Sequence, residues 1–167
     1  DAVANYCADD NASGAAAVME TARILSGYSF RYTIVYAFFD YEENGQQGSQ
    51  YYVQQAASKG LKISGVLNID MIGYDSNSDR RFEIHTNYLS GSQVLKDALV
   101  ATVNGSGLAL SPQVVNPGAT ASDHGPFWNY NIGAVALSEL FFGGDGNPYY
   151  HSDRDRISAF NLGYFTE

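Results

Sequence analysis

Cysteine is almost absent from this sequence, with Cys7 the only one among 167 residues. A disulfide framework within the chain and a paired-cysteine zinc motif are therefore excluded. No apolar run approaches the roughly 20 residues that a membrane-spanning helix requires, so we expect no membrane contact. Basic residues are also scarce, at 9 Lys and Arg against 18 Asp and Glu. We expect no nucleic-acid partner, because phosphate binding requires a basic surface.

Several sequence signals are missing as well. There is no Ser nucleophile elbow (G-x-S-x-G), no Walker phosphate loop and no dinucleotide fingerprint. The sequence shows no signal peptide and does not begin with Met, so we expect a processed product or a piece of a longer protein. A low charged content of 16%, with 13 Tyr and 17 Gly, is typical of secreted proteins, and we expect a secreted or extracellular location.

What is present fits one globular domain over residues 1–167, because 45% of the residues are hydrophobic and no repeat or linker divides the chain. Helices are predicted over residues 13–26, 48–58 and 92–103. Strands are predicted over residues 34–39, 61–69, 81–86 and 133–137. This alternation predicts an α/β fold with a mixed, largely parallel central sheet and helices on both faces.

The hydrophobic patterns also predict which faces are buried. Residues 34–39 and 61–69 are continuous apolar runs, which is typical of strands buried on both faces. Residues 81–86 alternate, which predicts a half-exposed strand with His85 on its solvated face. In the first helix the expected core stripe is Ala15, Val18, Ala22 and Leu25. In the helix over residues 92–103 the expected inward residues are Val94, Leu95, Ala98 and Leu99.

Acidic residues follow two of the predicted buried strands. Glu42 and Glu43 follow the predicted strand 34–39, and Asp70 directly follows the predicted strand 61–69. In α/β sheets, ligands bind beyond the carboxyl ends of the strands. Adjacent carboxylates repel each other, and a bound cation relieves that repulsion. One Glu can then ligate a metal while its neighbour accepts a proton from water, although a solvated turn explains the pair equally well.

Further candidates lie in loops and at a helix start. A run of three polar residues, Asp9, Asp10 and Asn11, precedes a small-residue stretch that opens a helix. One residue is enough to cap a helix, so at least two of the three are not needed for capping. From the residues alone, capping and metal binding both remain open. His151 lies in a polar loop, and His124 begins a helical turn as a cap neighbour, a wall of the site or a group behind the ligands. Carboxylate and imidazole ligands suit zinc, cobalt or manganese.

Five stretches then appear in one order: ADDNASGAAAVMETARIL, FFDYEENGQQGSQ, LNIDMIGY, SDHGPFWNYNIGAVAL and YYHSDRD. They resemble the sequence blocks of the zinc-dependent aminopeptidases of the secreted bacterial leucine-aminopeptidase type, which are co-catalytic di-zinc exopeptidases. The resemblance covers nearly the whole chain. It implies a zinc exopeptidase-like, phosphorylase/hydrolase-like fold. It also implies hydrolysis of peptides at a free N-terminus, preferably after bulky apolar residues.

The resemblance assigns roles to individual residues. In that family two metal ions share a bridging carboxylate, and the match places it at Asp10. Glu43 and His151 would complete the protein ligands of one ion. Asp70 would serve the other ion, together with a His from an upstream His-x-Asp block. Glu42 resembles the general base that moves a proton from the attacking water to the leaving amine.

Three more residues receive expected roles beside the ligands. Tyr150 resembles the phenol that steadies the oxyanion, a contribution of about 2–4 kcal/mol if the group is preorganised. From the sequence, plain aromatic packing explains Tyr150 nearly as well. Met71 and Phe127 are expected walls of a substrate pocket.

The sequence departs from the family pattern at its start. The upstream His-x-Asp block is not present, and Asp1 stands nine positions before Asp10, about where the Asp of that block would fall. We therefore expect the central part of a longer catalytic domain. We also expect one zinc ion to bind well through Asp10, Glu43 and His151, and a second to bind weakly or not at all.

Three other functions stay open, the first of which is a carboxypeptidase or dipeptidase of related fold, because the sequence does not show which end of a substrate is preferred. A glutaminyl cyclase has a related fold and uses one zinc with Asp, Glu and His ligands, which the retained trio would serve. A peptidase-like domain that has lost a metal ligand can also persist as a non-catalytic binding module.

Overall fold

A computed structural model describes residues 6–167, so Asp1 lies outside the described residues. The helices are Gly14–Leu25 (α1), Gln47–Ser58 (α2), Ser90–Ser106 (α3), Gly125–Asn129 (α4) and Leu162–Phe165 (α5). The strands are Val66–Ile69 (β1), Arg81–His85 (β2), Ser111–Val115 (β3) and Ala134–Glu139 (β4). Shorter helical turns lie at Ala8–Ser13, Phe141–Asp145 and Ile157–Ala159. In this part of the chain no helix is long and apolar enough to span a bilayer.

The four described strands form one sheet in the order β1-β4-β2-β3. β1 pairs in parallel with β4, and β2 pairs in parallel with β3. β2 and β4 pair antiparallel, with Ile84 opposite Leu137. Two of these three pairings are parallel, so the prediction of a mixed, largely parallel sheet is confirmed.

Two successive residues of β4 belong to two separate hydrophobic clusters. Ala134 packs with Val53 of α2 and Phe127 of α4. Its neighbour Val135 packs with Ile84 of β2, in the cluster that side chains of α3 also join. Successive side chains of a strand point to opposite faces, so α2 and α4 cover one face and α3 covers the other. Helices therefore lie on both faces, as predicted.

The three predicted helices are confirmed as α1, α2 and α3, and residues 133–137 fall largely within β4. The stripe of α1 is partly buried, as expected, in all four members: Ala15, Val18, Ala22 and Leu25. In α3 the expectation is half right. Leu95 and Leu99 pack against the core, whereas Val94 and Ala98 are exposed. Val100 and Val103 also pack against the core, so the buried face of α3 is rotated around the helix relative to the predicted one.

The prediction of a buried strand over residues 34–39 is wrong. None of the described strands pairs with this segment, and a strand needs a neighbour for its backbone hydrogen bonds. Four of its six side chains are exposed, with Val35 60% and Phe38 59% open to solvent, whereas Phe39 packs against the core. Residues 61–69 form a strand only over their last four positions, Val66–Ile69.

β2 is more buried than its alternation predicts. The prediction that His85 is solvated is wrong, because the residue is 3% exposed. The ring of Phe142 packs edge-on against it, and His85 Nδ1 accepts a hydrogen bond from the backbone N–H of Ala119. Its Nε2 lies 3.1 Å from Oε2 of Glu83. Each polar group on this face thus has a protein partner, which allows an alternating strand to be buried on both sides.

Candidate metal centre

Three loops bring Asp10, Glu43 and His151 together. Nε2 of His151 lies 2.7 Å from Oε1 of Glu43 and 3.3 Å from Oδ2 of Asp10. One ligand atom from each of the three lies within 4.8 Å of the others. Among residues 6–167 this is the group of His, Cys, Asp and Glu side chains whose geometry suits a metal ion. A single small cation can contact all three residues.

The electrostatics of the cluster favour a cation. Burial, the charge of Glu43 and the charge of Asp70 raise the pKa of Asp10 to about 7. Two carboxyl groups and one imidazole are ligand types that zinc binds, and three protein ligands leave a coordination position for water or substrate. The donor set therefore fits a zinc ion. A divalent cation at this point would offset both the burial and the repulsion that raise the pKa of Asp10.

A tight turn presents Glu42 and Glu43. The backbone N–H of Gln46 donates to the carbonyl of Glu42 at 2.7 Å, and Gly45 has a φ of 88°, which suits a residue without a Cβ. α2 begins directly after this turn. At its first residues a Cβ on Gly48 would lie 2.6 Å from the carbonyl oxygen of Asp40. Only glycine allows the helix to start this close to the preceding segment.

Left-handed backbone conformations occur at several residues in and beside the cluster. Positive φ values are found at Tyr41 (53°), Gln46 (52°), Met71 (56°) and His151 (56°). A non-glycine residue in this region costs of order 1–3 kcal/mol and persists only where its surroundings hold it. Contacts with the surrounding structure therefore hold these backbone conformations, which the residues would not favour on their own.

Glu42 lies beside the cluster and is half-buried. Burial and the charge of Asp70 raise its pKa to about 7, and the charge of Glu43 adds to the effect. Gln46 Nε2 donates to Oε1 of Glu42 at 3.4 Å, which opposes the shift. A carboxyl group with a pKa near the working pH can both accept and return a proton. The position and the pKa of Glu42 suit the general base that the sequence predicts.

Asp70 lies at the end of β1 but is not among the three converging ligands. The hydroxyl of Ser122 donates to its Oδ2 at 2.5 Å, and Asn68 Nδ2 donates to that hydroxyl at 2.7 Å. The negative charge of Asp70 raises the pKa of both Asp10 and Glu42, which places it close to them. Its role as a ligand of a second metal ion stays a prediction.

Tyr150 packs against a ligand and also keeps its proton. Its ring stacks on that of His151 with 3.6 Å between ring centroids, and Phe141 packs edge-on against its ring. Burial and the charges of nearby acids, Glu43 first, raise the pKa of Tyr150 to about 12. The phenol therefore stays a hydrogen-bond donor at neutral pH. Packing and donation are compatible here, and the oxyanion role stays a prediction.

The two expected pocket walls are both buried. Phe127 is 2% exposed and packs between Phe39 and Tyr52 in the core under α2. Met71 is 7% exposed, and its backbone N–H donates to Oδ1 of Asn11. Little of either side chain is open to a substrate, and their role in a pocket stays a prediction.

The polar run before α1 divides between a helix cap and the candidate ligand cluster. Oδ1 of Asn11 accepts a hydrogen bond from the backbone N–H of Gly14 at 3.0 Å, which caps the start of α1. Asp10 points instead into the ligand cluster. Asp9 is fully buried and accepts the N–H of Gly73 at 2.8 Å.

His124 is a support for the loop that precedes α4. It is 2% exposed, and burial lowers its pKa to about 4, so the ring is neutral. Because a carbonyl oxygen only accepts, Nε2 of His124 donates to the carbonyl of Ala119 at 2.8 Å. Of the three interpretations of His124, the cap neighbour is supported, because His124 stands at the start of α4 and its carbonyl accepts the N–H groups of Phe127 and Trp128.

Behind the cluster lies a buried polar network that the sequence analysis did not identify. Glu139 accepts the backbone N–H groups of Tyr74 and Asn147. Burial, with the charge of Asp9 next, raises the pKa of Glu139 to about 10. Asp155 is also fully buried. Glu139 is the last residue of β4, and Asp70 directly follows β1. A search for acidic residues at the ends of predicted strands, which selected Asp70, would also have found Glu139.

An α/β sheet with two carboxylates and one imidazole converging in its loops has the arrangement of a candidate metal-binding protein. The sequence model of Peptidase family M28 matches residues 1–167, and the chain belongs to this family. It is 33% identical over 171 residues to leupeptin-inactivating enzyme 1 of Streptomyces exfoliatus, covering 92% of this chain and 37% of that protein. The family resemblance predicted from the sequence blocks is confirmed.

Solved structures agree with this assignment. BSAP, a zinc aminopeptidase from Bacillus subtilis, superposes with a TM-score of 0.81 at 27% identity, over 99% of this chain and 40% of that one. The glutaminyl cyclase of Porphyromonas gingivalis superposes with a TM-score of 0.70 at 21% identity, over 96% of this chain and 59% of that one, and so shares the fold. The chain spans less than half the length of leupeptin-inactivating enzyme 1 and of BSAP.

Proposed function

We propose that this chain carries the site of a zinc-dependent aminopeptidase, which hydrolyses the N-terminal peptide bond of peptides. The observation that carries the proposal is the convergence of Asp10, Glu43 and His151, with Glu42 beside them. Membership of Peptidase family M28 supports peptide substrates. The zinc aminopeptidase among the similar structures supports zinc as the metal.

The ligand set determines what the metal can do. Zinc, when bound, polarises the scissile carbonyl and lowers the pKa of water. Asp10, Glu43 and His151 would hold one ion tightly, which is the stoichiometry that we propose for this chain. Asp70 would contribute to a second ion, held weakly or not at all by the residues of this chain.

The remaining groups move a proton and stabilise charge. Glu42 accepts a proton from the attacking water and returns it to the leaving amine, for which a pKa near 7 is suited. Tyr150 donates its phenolic O–H to the oxygen on which negative charge develops. The stacking of its ring on His151 limits the motion of that donor and so preorganises it.

The substrate class follows from the family and from the surrounding charge. A free N-terminus is cationic, and the acids at the site provide a favourable electrostatic environment for it. A preference for bulky apolar N-terminal residues, and secretion of the protein, are further parts of this proposal. They are supported by the sequence blocks shared with the secreted bacterial leucine aminopeptidases.

The test compares the chain with Glu42→Gln and with the control Glu20→Gln, which changes an exposed acid of α1. Each zinc-loaded protein is assayed for hydrolysis of leucine p-nitroanilide and for cyclisation of a peptide with N-terminal Gln. We expect anilide hydrolysis that Glu42→Gln lowers by about 10²–10⁴-fold without loss of zinc, whereas Glu20→Gln leaves it unchanged. Cyclisation alone would establish the cyclase function, and zinc binding without either reaction would establish a binding module.

A further inference from the structure

A fully buried carboxylate outside the ligand cluster connects two of the ligand loops. Asp155 accepts the backbone N–H of Asp9 at both of its oxygens, at 3.0 and 3.1 Å. Its Oδ2 also accepts the backbone N–H of Asp10, a predicted ligand, at 3.0 Å. Asp155 follows His151 by four residues in the same loop. The side chain therefore ties the loop of one ligand to the main chain of another.

Asn147 strengthens this connection. Its Nδ2 donates to Oδ2 of Asp9 at 3.0 Å and to Oδ1 of Asp155 at 3.2 Å. Its own side-chain oxygen accepts the N–H of Tyr149, next to Tyr150 and His151. One amide thus links the network behind the site to the loop that carries the third ligand.

The charge of Asp155 is balanced by N–H groups rather than by a cation. In the described part of the chain no Lys or Arg forms an ion pair with it. A buried carboxylate is unfavourable unless hydrogen bonds satisfy it, and here backbone and amide donors do so. These donors are strongly directional, so the carboxylate defines where the peptide group of Asp10 lies.

We propose that Asp155 is a positioning residue of the metal centre. By holding the peptide of Asp10, it sets the carboxylate of Asp10 at the distance from His151 that a shared ion requires. This inference rests on the metal site proposed above. Loss of such outer contacts typically lowers metal affinity by 10–100-fold. A residue that only closed the turn Ala8–Ser13 would affect stability and leave the affinity of the folded protein unchanged.

The experiment measures zinc affinity by competition with a chelator in the chain, in Asp155→Asn and in the control Asp153→Asn, an exposed position of the same loop. Circular dichroism and melting of the metal-free proteins are recorded in parallel. We expect Asp155→Asn to bind zinc about 10–100-fold more weakly while folded, and Asp153→Asn to match the unmodified chain. A lower melting temperature with unchanged zinc affinity would overturn the proposal.

A second variant keeps the test decisive if Asp155→Asn does not fold. Asn147→Ala leaves the bonds from Asp155 to the backbone of Asp9 and Asp10 but removes the bridging amide. That change tests only the amide bridge, so the deciding second variant is Asp155→Glu, which keeps the charge but displaces the carboxylate from the N–H groups of Asp9 and Asp10. We expect Asp155→Glu to bind zinc about 10–100-fold more weakly, and an unchanged affinity would overturn the proposal. If the unmodified chain binds no zinc, the proposed metal site itself is wrong, which is a different outcome from either variant result.

Discussion

Nε2 of His151 lies 2.7 Å from Oε1 of Glu43, although 108 positions separate the two residues. Both face Asp10, so the contact joins the three ligand loops at one point. A chain of this length brings two such groups together only when the fold holds both of their loops. The contact is therefore direct structural support for the candidate metal site.

The first prediction concerns the role of Glu43 as a ligand. Glu43→Gln keeps the shape of the side chain and removes its charge, so zinc should bind at least about 100-fold more weakly, beyond the effect of losing an outer contact. Calorimetric titration with zinc provides the measurement. Glu20→Gln, which removes an exposed charge of α1, should bind as the unmodified chain does. Equal affinity of Glu43→Gln would exclude Glu43 as a ligand.

The second prediction concerns the pH dependence of zinc binding. The pKa of Asp10 is raised to about 7 in the metal-free chain, and a ligand must lose its proton before it binds zinc. Affinity should therefore rise with pH up to about 7, by about tenfold per pH unit for each proton displaced, and then level off. Chelator competition at several pH values measures the slope. Glu42→Gln should retain the slope, because Glu42 is not a predicted ligand.

The third prediction separates the two interpretations of Tyr150. Tyr150→Phe keeps the ring that stacks on His151 and removes the hydroxyl, so kcat should fall by about 10²–10³-fold. Zinc affinity should remain unchanged. Steady-state kinetics on leucine p-nitroanilide gives the result, with Tyr149→Phe as the neighbouring control. An unaltered kcat would leave Tyr150 with a packing role alone.

The fourth prediction concerns the stability of the fold. The pKa of Glu139 is raised from the usual 4.5 to about 10, mainly by burial. Between these values the unfolded chain loses the proton while the folded chain keeps it, so the contribution of Glu139 to stability falls as pH rises. Glu139→Gln lacks this titration. Its free energy of unfolding relative to the unmodified chain should rise with pH, by up to about 1.4 kcal/mol per unit.

Urea unfolding at about pH 6 and about pH 8 tests the fourth prediction. Glu20→Gln should show no change in its difference from the unmodified chain over this interval. A pH-independent difference for Glu139→Gln would mean that Glu139 is ionised in the folded protein.

Local patterns were sufficient for α1, α2 and α3 and for Asp70 after the end of β1. The apolar stripe of α1 and the run that ends at Asp70 can both be recognised from residue types alone. The sequence blocks placed Asp10, Glu43 and His151 in one site, and the structure brings these three together. That information comes from the resemblance to the family, because the spacing of the three residues along the chain does not by itself show that they meet.

Other features could not be predicted, since they depend on what packs against an element. Whether residues 34–39 pair as a strand depends on a neighbouring strand, and hydrophobicity cannot show whether one is present. His85 is buried because Phe142 and the loop at Ala119 cover it. The network of Asp155 forms between positions about 145 apart, where no local signal exists.

The sequence by itself determined the family, the helices and the identity of the candidate ligands, because these depend on residue type and order along the chain. Only the tertiary structure showed that Asp70 lies near the three converging residues without being one of them, and that Asp155 and Asn147 connect the ligand loops. The physical reason is that distance and burial arise when remote segments pack together, and hydrogen-bond partners are chosen at that stage.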